Sequence, residues 1–264
     1  MPELSHEVAA APSLGEPARR ELHALFTRHY ENVPWELFAA DFAEKDFVIL
    51  LRRGPGGPIA GFSTQKVLRA EAGGHEMRVL FSGDTVIDRE AWGEQGLVKG
   101  WCRLAGAVKA QRPDTPLYWL LICKGFRTYL YLPLFFHDYW PRHERPTPPK
   151  SQALLDAFAK AKFGRAYRPK TGLLRFKDAK GNLTPELAEI PAGRRDDPRV
   201  KYFLERNPGF AKGDELVCLT EVSEANTKGL AKRLYKEGFT AGLPALLRNG
   251  FGEAPRLGSP NPHP

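Results

Sequence analysis

The apolar positions of this chain switch between two rhythms, and their order predicts the elements. Leu22, Leu25, Phe26 and His29 recur at helical spacing, which predicts a helix over 16–30. A short second helix follows Pro34 and carries Trp35, Leu37, Phe38 and Phe42. FVILLRR (47–53), apolar on both faces, and IAGFSTQKVL (59–68) flank the glycine-rich turn GPGGP, which predicts a hairpin. MRVLFSGDTVID (77–88) alternates as a strand. A strict period of two sets Met77, Val79, Phe81, Thr85 and Ile87 on one face and Ser82, Asp84 and Val86 on the other. Gly83 marks a bulge within it. Leu97, Trp101, Leu104 and Val108 form one helical stripe that Pro113 ends, and LYWLLIC (117–123) reads as a buried central strand. Strand, helix and strand over 77–123 make a crossover long enough to set the two strands parallel.

Beyond Cys123, Gly125 permits a sharp turn, and 126–139 reads as helix divided into two short pieces by Pro133. SQALLDAFAKAKF (151–163) predicts a helix, TGLLRFK (171–177) and DELVCLTEV (214–222) predict strands, and a helix begun by Asn226 covers 226–238. The expected division is a core over 1–142 and a proline-rich linker over 143–150. Strands and helices over 151–250 complete or extend that core, and 251–264 form a disordered tail. No internal repeat is visible.

Composition narrows the class. With 264 residues, 42% hydrophobic and 11% aromatic, the chain is globular; global disorder, coiled coil and collagen are excluded. No apolar run reaches the ~18 residues of a membrane span. The first twenty residues lack a basic stretch followed by an apolar one, so no signal peptide is expected. Cys102, Cys123 and Cys218 form no CxxC pair and sit in apolar runs, as buried thiols of a reducing, cytoplasmic protein do. The histidines show neither HxxxH nor HExxH spacing, so no metal is expected. A net charge of +8 points to an anionic partner, either a phosphate-rich cofactor or nucleic acid.

The chemistry gathers in the middle of the chain. REAWGEQG (89–96) runs straight into the helix that follows, and free amides at a helix N-terminus bind phosphate. It matches neither a Walker loop nor the dinucleotide fingerprint. Helices, a hairpin, an interrupted strand, a glycine-containing loop, an amphipathic helix, a buried strand and a tyrosine-bearing helix follow in that order. Over residues 16–140 this resembles the GNAT (Gcn5-related N-acetyltransferase) superfamily and its acyl-homoserine-lactone-synthase relatives. The resemblance implies a mixed α/β (α+β) fold with a central mixed sheet, flanking helices and a C-terminal extension. It implies that Val86, Ile87 and Asp88 at the strand end hydrogen-bond a pantetheine arm. Trp92, Gly93, Glu94, Gln95, Gly96 and Leu97 would hold the pyrophosphate. The glycine pair that closes the family's loop motif is replaced here by Leu97 and Val98. The donor implied is therefore acyl-CoA or an acyl carrier protein.

The resemblance also implies a tyrosine general acid for the leaving thiolate, with Tyr129 preferred and Tyr131 pointing about 200° away on a helix. Acyl transfer to an amine needs a base, and Asp84 is the candidate, with Glu44 and Asp46 as alternatives. Cys123 reads as a packed thiol. The aromatic stretch from Tyr129 to Trp140 suits core packing or an acyl tunnel. KAKFGRAYRPK (160–170) interleaves basic residues with Phe163 and Tyr167, suiting a solvated face or a nucleic-acid contact. The expected function is transfer of an acyl group from a pantetheine thioester to an amine of a small molecule or protein. The alternatives are a catalytically silent binder of an acylated carrier or metabolite, and a basic nucleic-acid-binding protein.

Overall fold

The run from Phe47 to Leu51 is buried on both faces, and the sheet grows outward from it. The computed structural model describes residues 4–72, 74–176, 182–184 and 188–247. In chain order the elements are β1 (Leu4–Ala10), α1 (Glu16–Thr27), β2 (Tyr30–Glu31), α2 (Trp35–Ala43), β3 (Phe47–Arg53), β4 (Ile59–Ala72) and β5 (His75–Ile87). Then come α3 (Gly96–Ala110), β6 (Leu117–Cys123), α4 (Phe126–Tyr129), α5 (Tyr131–Phe135), α6 (Pro149–Phe163), β7 (Tyr167–Arg168), β8 (Leu173–Leu174) and β9 (Asn182–Leu183). The last are α7 (Pro198–Arg206), β10 (Glu215–Glu221) and α8 (Gly229–Leu246).

Eight strands form one sheet in the order β1-β3-β4-β5-β6-β10-β8-β7, and β2 pairs with β9 apart from it. β5 and β6 run parallel, as the crossover predicts, and the other described pairs are antiparallel. One face is covered by α3 and α8, which bury Ile49, Leu51, Leu80, Trp119 and Leu121. The opposite face is covered in two blocks. α1 and α2 lie over Val48, Leu50, Phe62 and Val86, while α6 lies over Val79, Phe81, Leu120 and Val217. α6 thus lies across the paired end of the seam between β5 and β6, and α1 and α2 stand over β3, β4 and the far end of β5.

Two irregularities open that seam. Ser63 pairs with Thr85 and Gln65 with Ser82, so Gly83 and Asp84 together oppose Thr64, and the bulge expected at Gly83 is present. β5 pairs with β6 only from Arg78 to Ser82; beyond that point the strands separate. A chain of buried hydrogen bonds pins the fork. Trp119 Nε1 donates to Ser82 Oγ (2.9 Å), Ser82 Oγ to Gln65 Oε1 (2.7 Å), and Gln65 Nε2 to Ser63 Oγ (2.7 Å). Ser63 Oγ lies 2.7 Å from Thr85 Oγ1, which completes the chain.

The bulge corrects the strict alternation read from sequence. Met77, Val79 and Phe81 face α6, but Ile87 packs on the α3 side. Ser82 hydrogen-bonds within the α3 face, whereas Val86 packs among α1 and α2, so they do not share a face. One extra residue shifts the phase of every side chain after it. Other elements also differ from expectation. The strand expected over 171–177 shrinks to Leu173–Leu174. The break in 126–139 falls at Leu130, with Pro133 inside α5. The last helix starts at Gly229 because the Asn226 carboxamide is engaged elsewhere. It accepts from Asp138 N (2.8 Å) and donates to Glu221 O (2.7 Å). The tail over 251–264 lies outside the described residues.

α3 and α8 touch backbone to backbone. A Cβ built on Gly106 would lie 2.0 Å from the Tyr235 carbonyl oxygen, and one on Gly238 would lie 1.9 Å from that of Arg103. Neither neighbour is a side chain that can swing aside. Gly106→Ala should therefore destabilise the protein by about 1–3 kcal/mol, the usual cost of overpacking. Gly193→Ala, where no atom lies within 4 Å, should change little. Urea unfolding of both variants checks this; equal midpoints would show that the helices can part freely.

Candidate active site

Where β5 and β6 part, a cleft of about 1070 Å³ passes through the sheet. On the α3 side its walls come from the loop Trp92–Gln95, Val98, Tyr131, Leu134 and Leu230. On the other side they come from Tyr30, Leu37, Phe38 and Asp41, and from Phe81, Lys162 and Phe163. Leu183 of β9 also lines it, carried there by pairing with β2.

The open edge of β5 forms one wall. Asp88 N donates to Ala60 O (2.7 Å), which sets the phase of the β4–β5 ladder. By strand alternation Val86 then faces β4, and Thr85 and Ile87 turn their backbone groups toward the cleft. Side chains take both carbonyls: Trp92 Nε1 donates to Ile87 O (3.0 Å) and the Tyr30 hydroxyl to Thr85 O (3.4 Å). Among the described residues nothing accepts from the Thr85 and Ile87 amides, which are left as donors along the edge.

The loop after β5 delivers the N-terminus of α3 to the same opening. Gly93 takes a positive φ of 94°, which lets the chain turn back into the helix. Gln95 supplies no side-chain cap, so the first amides of α3 keep their donors. Gly96 serves packing as well, since a Cβ there would lie 2.4 Å from Leu51 Cδ1, and Leu97 is buried. Trp92 is 40% exposed, with the Arg127 guanidinium 5.2 Å and the Arg89 guanidinium 5.7 Å from its ring. Asp88 has a structural part: its carboxylate accepts from Arg89 N and pairs with Arg28 and Arg53.

Asp84 stands on the bulge at the other mouth. Among the described residues no side-chain hydrogen bond or ion pair reaches its carboxylate. The neighbouring acids are each met by a lysine: Asp41 by Lys45 (2.5 Å), Glu44 by Lys162 (3.2 Å) and Glu215 by Lys124 (3.6 Å). Burial pushes the Asp84 carboxyl up to about 7; Asp41 and Glu215 add to the rise, and Lys45 and Lys124 oppose it. Asp46 lies away from the cleft and holds β4, its Oδ2 accepting from Val67 N (2.7 Å).

The structure brings Tyr131 to the cleft and sets Tyr129 elsewhere. Tyr129 is fully buried and its hydroxyl donates to Pro141 O (3.1 Å). Tyr131 lines the cleft, stacked on Phe135 at 5.8 Å, and burial raises its phenol above the ordinary value. Cys123 is buried 3.9 Å from Cys218, and burial raises its thiol well above the ordinary value. Phe136, Tyr139 and Trp140 are packed in the interior. In the basic segment Tyr167 is buried against Asp156 and Phe163 packs on Phe81, so the interleaved aromatics turn inward. Sequence reasoning missed Tyr30, Lys45, Lys124 and Glu215 because separate elements bring them together and no local motif marks them.

Among the described residues no group of three or more His, Cys, Asp or Glu could hold a metal, and no helix is long and apolar enough to cross a membrane. No protein-family model matches the chain, and no curated protein sequence does. Solved structures do. A conserved protein of unknown function from Enterococcus faecalis V583, described as a probable N-acyltransferase, matches 62% of this chain at 13% identity and TM-score 0.39. The match spans 45% of that protein's length. An acetyltransferase of Trypanosoma brucei matches over 55% of this chain and 98% of its own, at 19% identity and TM-score 0.38. A GNAT family N-acetyltransferase of Escherichia coli, solved in complex with CoA, matches over 47% and 66%, at 12% identity and TM-score 0.32. The central mixed sheet with flanking helices, the bulge in β5 and the parallel fork beside it are the arrangement that the sequence led one to expect.

Proposed function

We propose that this chain moves an acyl group from a pantetheine thioester to an amine. The donor, acyl-CoA or an acylated carrier protein, lies along the open edge of β5 and is held by the Thr85 and Ile87 amides. Its phosphates meet the free amides of α3 and the cations around Trp92. The thioester then sits in the fork, with the acceptor entering past Asp84 on the opposite face. The amine nitrogen attacks the carbonyl carbon, the C–N bond forms and the C–S bond breaks. Asp84 takes the amine proton directly or through water, and the thiolate leaves toward Tyr131. A phenol with a raised pKa is a poor proton source for a thiolate whose own pKa is ~8.5, so Tyr131 stabilises the departing sulfur mainly by hydrogen bonding. The observation that carries this reading is the passage through the sheet at the fork, with donors on one wall and an unpaired carboxylate opposite.

Thiol release from acetyl-CoA, a long-chain acyl-CoA and an acylated carrier protein, each against a broad amine panel, tests it. Absence of release from all three donors contradicts it, and if a donor still binds, a silent binding protein becomes the better account. Because the base works only when ionised, kcat/KM should rise with pH through about 7. Asp84→Asn should remove that limb and lower the rate by roughly 10²–10⁴. A carboxyl raised from its unfolded value favours the native state when protonated. Its contribution is therefore present at low pH and is lost as pH rises toward 7. At pH 8 Asp84→Asn should accordingly melt higher than the parent; an unchanged pH profile and a lower melting point would show a structural carboxylate.

Paired tyrosine variants separate chemistry from packing. Tyr131→Phe should lower kcat with donor affinity nearly unchanged. Tyr129→Phe should cost about 1 kcal/mol of stability, the worth of its bond to Pro141, and leave kcat near the parent value. The reverse pattern in kinetics and urea unfolding would assign the acid to Tyr129.

A further inference from the structure

The acceptor mouth is specific enough to name what enters it, on the premise of the acyl-transfer reading. Among the described residues four carboxylates surround it, and three of them are matched by lysines. Lys45 is almost fully buried, and its ammonium also donates to Asp41 O (2.9 Å), so it cannot swing away to meet a ligand. Among the described residues, Asp84 is the carboxylate left to receive a cation. A polyamine would bring two or more charges to a mouth that offers one.

The walls exclude a second class. Beside Asp84, Phe81 and Phe163 meet edge to face at 5.7 Å, with the Lys162 ammonium 5.4 Å from the Phe81 ring. Across the gap stand Phe38 and Leu37, the latter 37% exposed at the rim. Tyr30 has its hydroxyl on Thr85 O. An amino sugar would set hydroxyls against these rings, and each one left without a partner there would cost about 1–3 kcal/mol. An aromatic body fits instead, since ring pairs prefer edge-to-face and offset contacts at such spacings.

We infer that the acceptor is a primary monoamine with an apolar, aromatic body, its ammonium on Asp84 and its ring between the Phe81–Phe163 pair and the Leu37–Phe38 wall. The phenyl ring of 2-phenylethylamine is the simplest probe of this arrangement.

Two readouts keep this inference separate from the reaction itself. Calorimetry in the presence of saturating CoA measures amine binding without turnover, and thiol release measures transfer. 2-Phenylethylamine should bind at least tenfold more tightly than spermidine, glucosamine or an acetylated lysine-containing peptide with a free side-chain amine. It should also be the best acceptor. Phe163→Ala should weaken its binding at least tenfold while leaving CoA affinity unchanged. Binding of this order without thiol release keeps the acceptor class and overturns acyl transfer. Preference for spermidine, glucosamine or the peptide, or failure of 2-phenylethylamine to bind, overturns the acceptor class, even where thiol release with another amine upholds the reaction.

Discussion

The proposed site depends on two parallel strands being held together at one end and apart at the other. The restraint is the buried polar chain from Trp119 through Ser82, Gln65 and Ser63 to Thr85. It ties β4, β5 and β6 at the level of the bulge, where the ladder between β5 and β6 stops. Gln65 and Ser82 are almost wholly buried, so each member would lose a partner without solvent to replace it. Leaving one such group unpaired costs about 1–3 kcal/mol, comparable to a sizeable part of a domain's net stability. The fork is thus specified by hydrogen bonding, while the apolar cores on either face fix where the helices stand.

From the fork the rest of the site follows. The bulge turns Asp84 to the α2 side and Thr85 to the α3 side, so the proposed base and the proposed donor edge arise from adjacent residues on opposite faces. α6 covers the paired end of the seam and α1–α2 the strands beside it, and one mouth opens between Phe38 and Asp41 on one side and Lys162 and Phe163 on the other. The loop into α3 supplies the other. Close backbone contact at Gly106 and Gly238 locks α3 onto α8, and Gly96 settles its first turn on Leu51. The helix whose amides face the opening is therefore one of the most firmly seated in the molecule. Burial near paired lysines and acids brings the Asp84 carboxyl to about 7, the range a general base needs at neutral pH.

Much of the frame was legible in the sequence. The runs 47–53, 59–68, 77–88 and 117–123 each carry enough alternation or continuous apolarity to announce a strand, and the loop into α3 its own glycines. Gly83 announced the bulge but not its consequence, because a period-two reading cannot register a phase shift until the partner strand is known. β1 was missed: LSHEVAA has too little apolar alternation, and it becomes a strand by pairing with β3. The placement of the two tyrosines was not legible for a related reason. Both tyrosines were expected on the helical piece before Pro133, whereas the division falls between them at Leu130, with Tyr129 closing α4 in the interior and Tyr131 opening α5 at the cleft. The lysines that neutralise the proposed acceptor mouth come from the loop after α2, from the turn after β6 and from α6. No local pattern joins them.

The central claim is that the open edge of β5 receives the donor. Amide hydrogen exchange in the free protein and with saturating CoA tests it most directly, because it reads backbone donors rather than rates of chemistry. The account predicts slowed exchange at Thr85 and Ile87 and in the first turn of α3, with α6 and the segment 160–170 unchanged. Protection confined to 160–170, or none at the β5 edge while CoA binds, would contradict it.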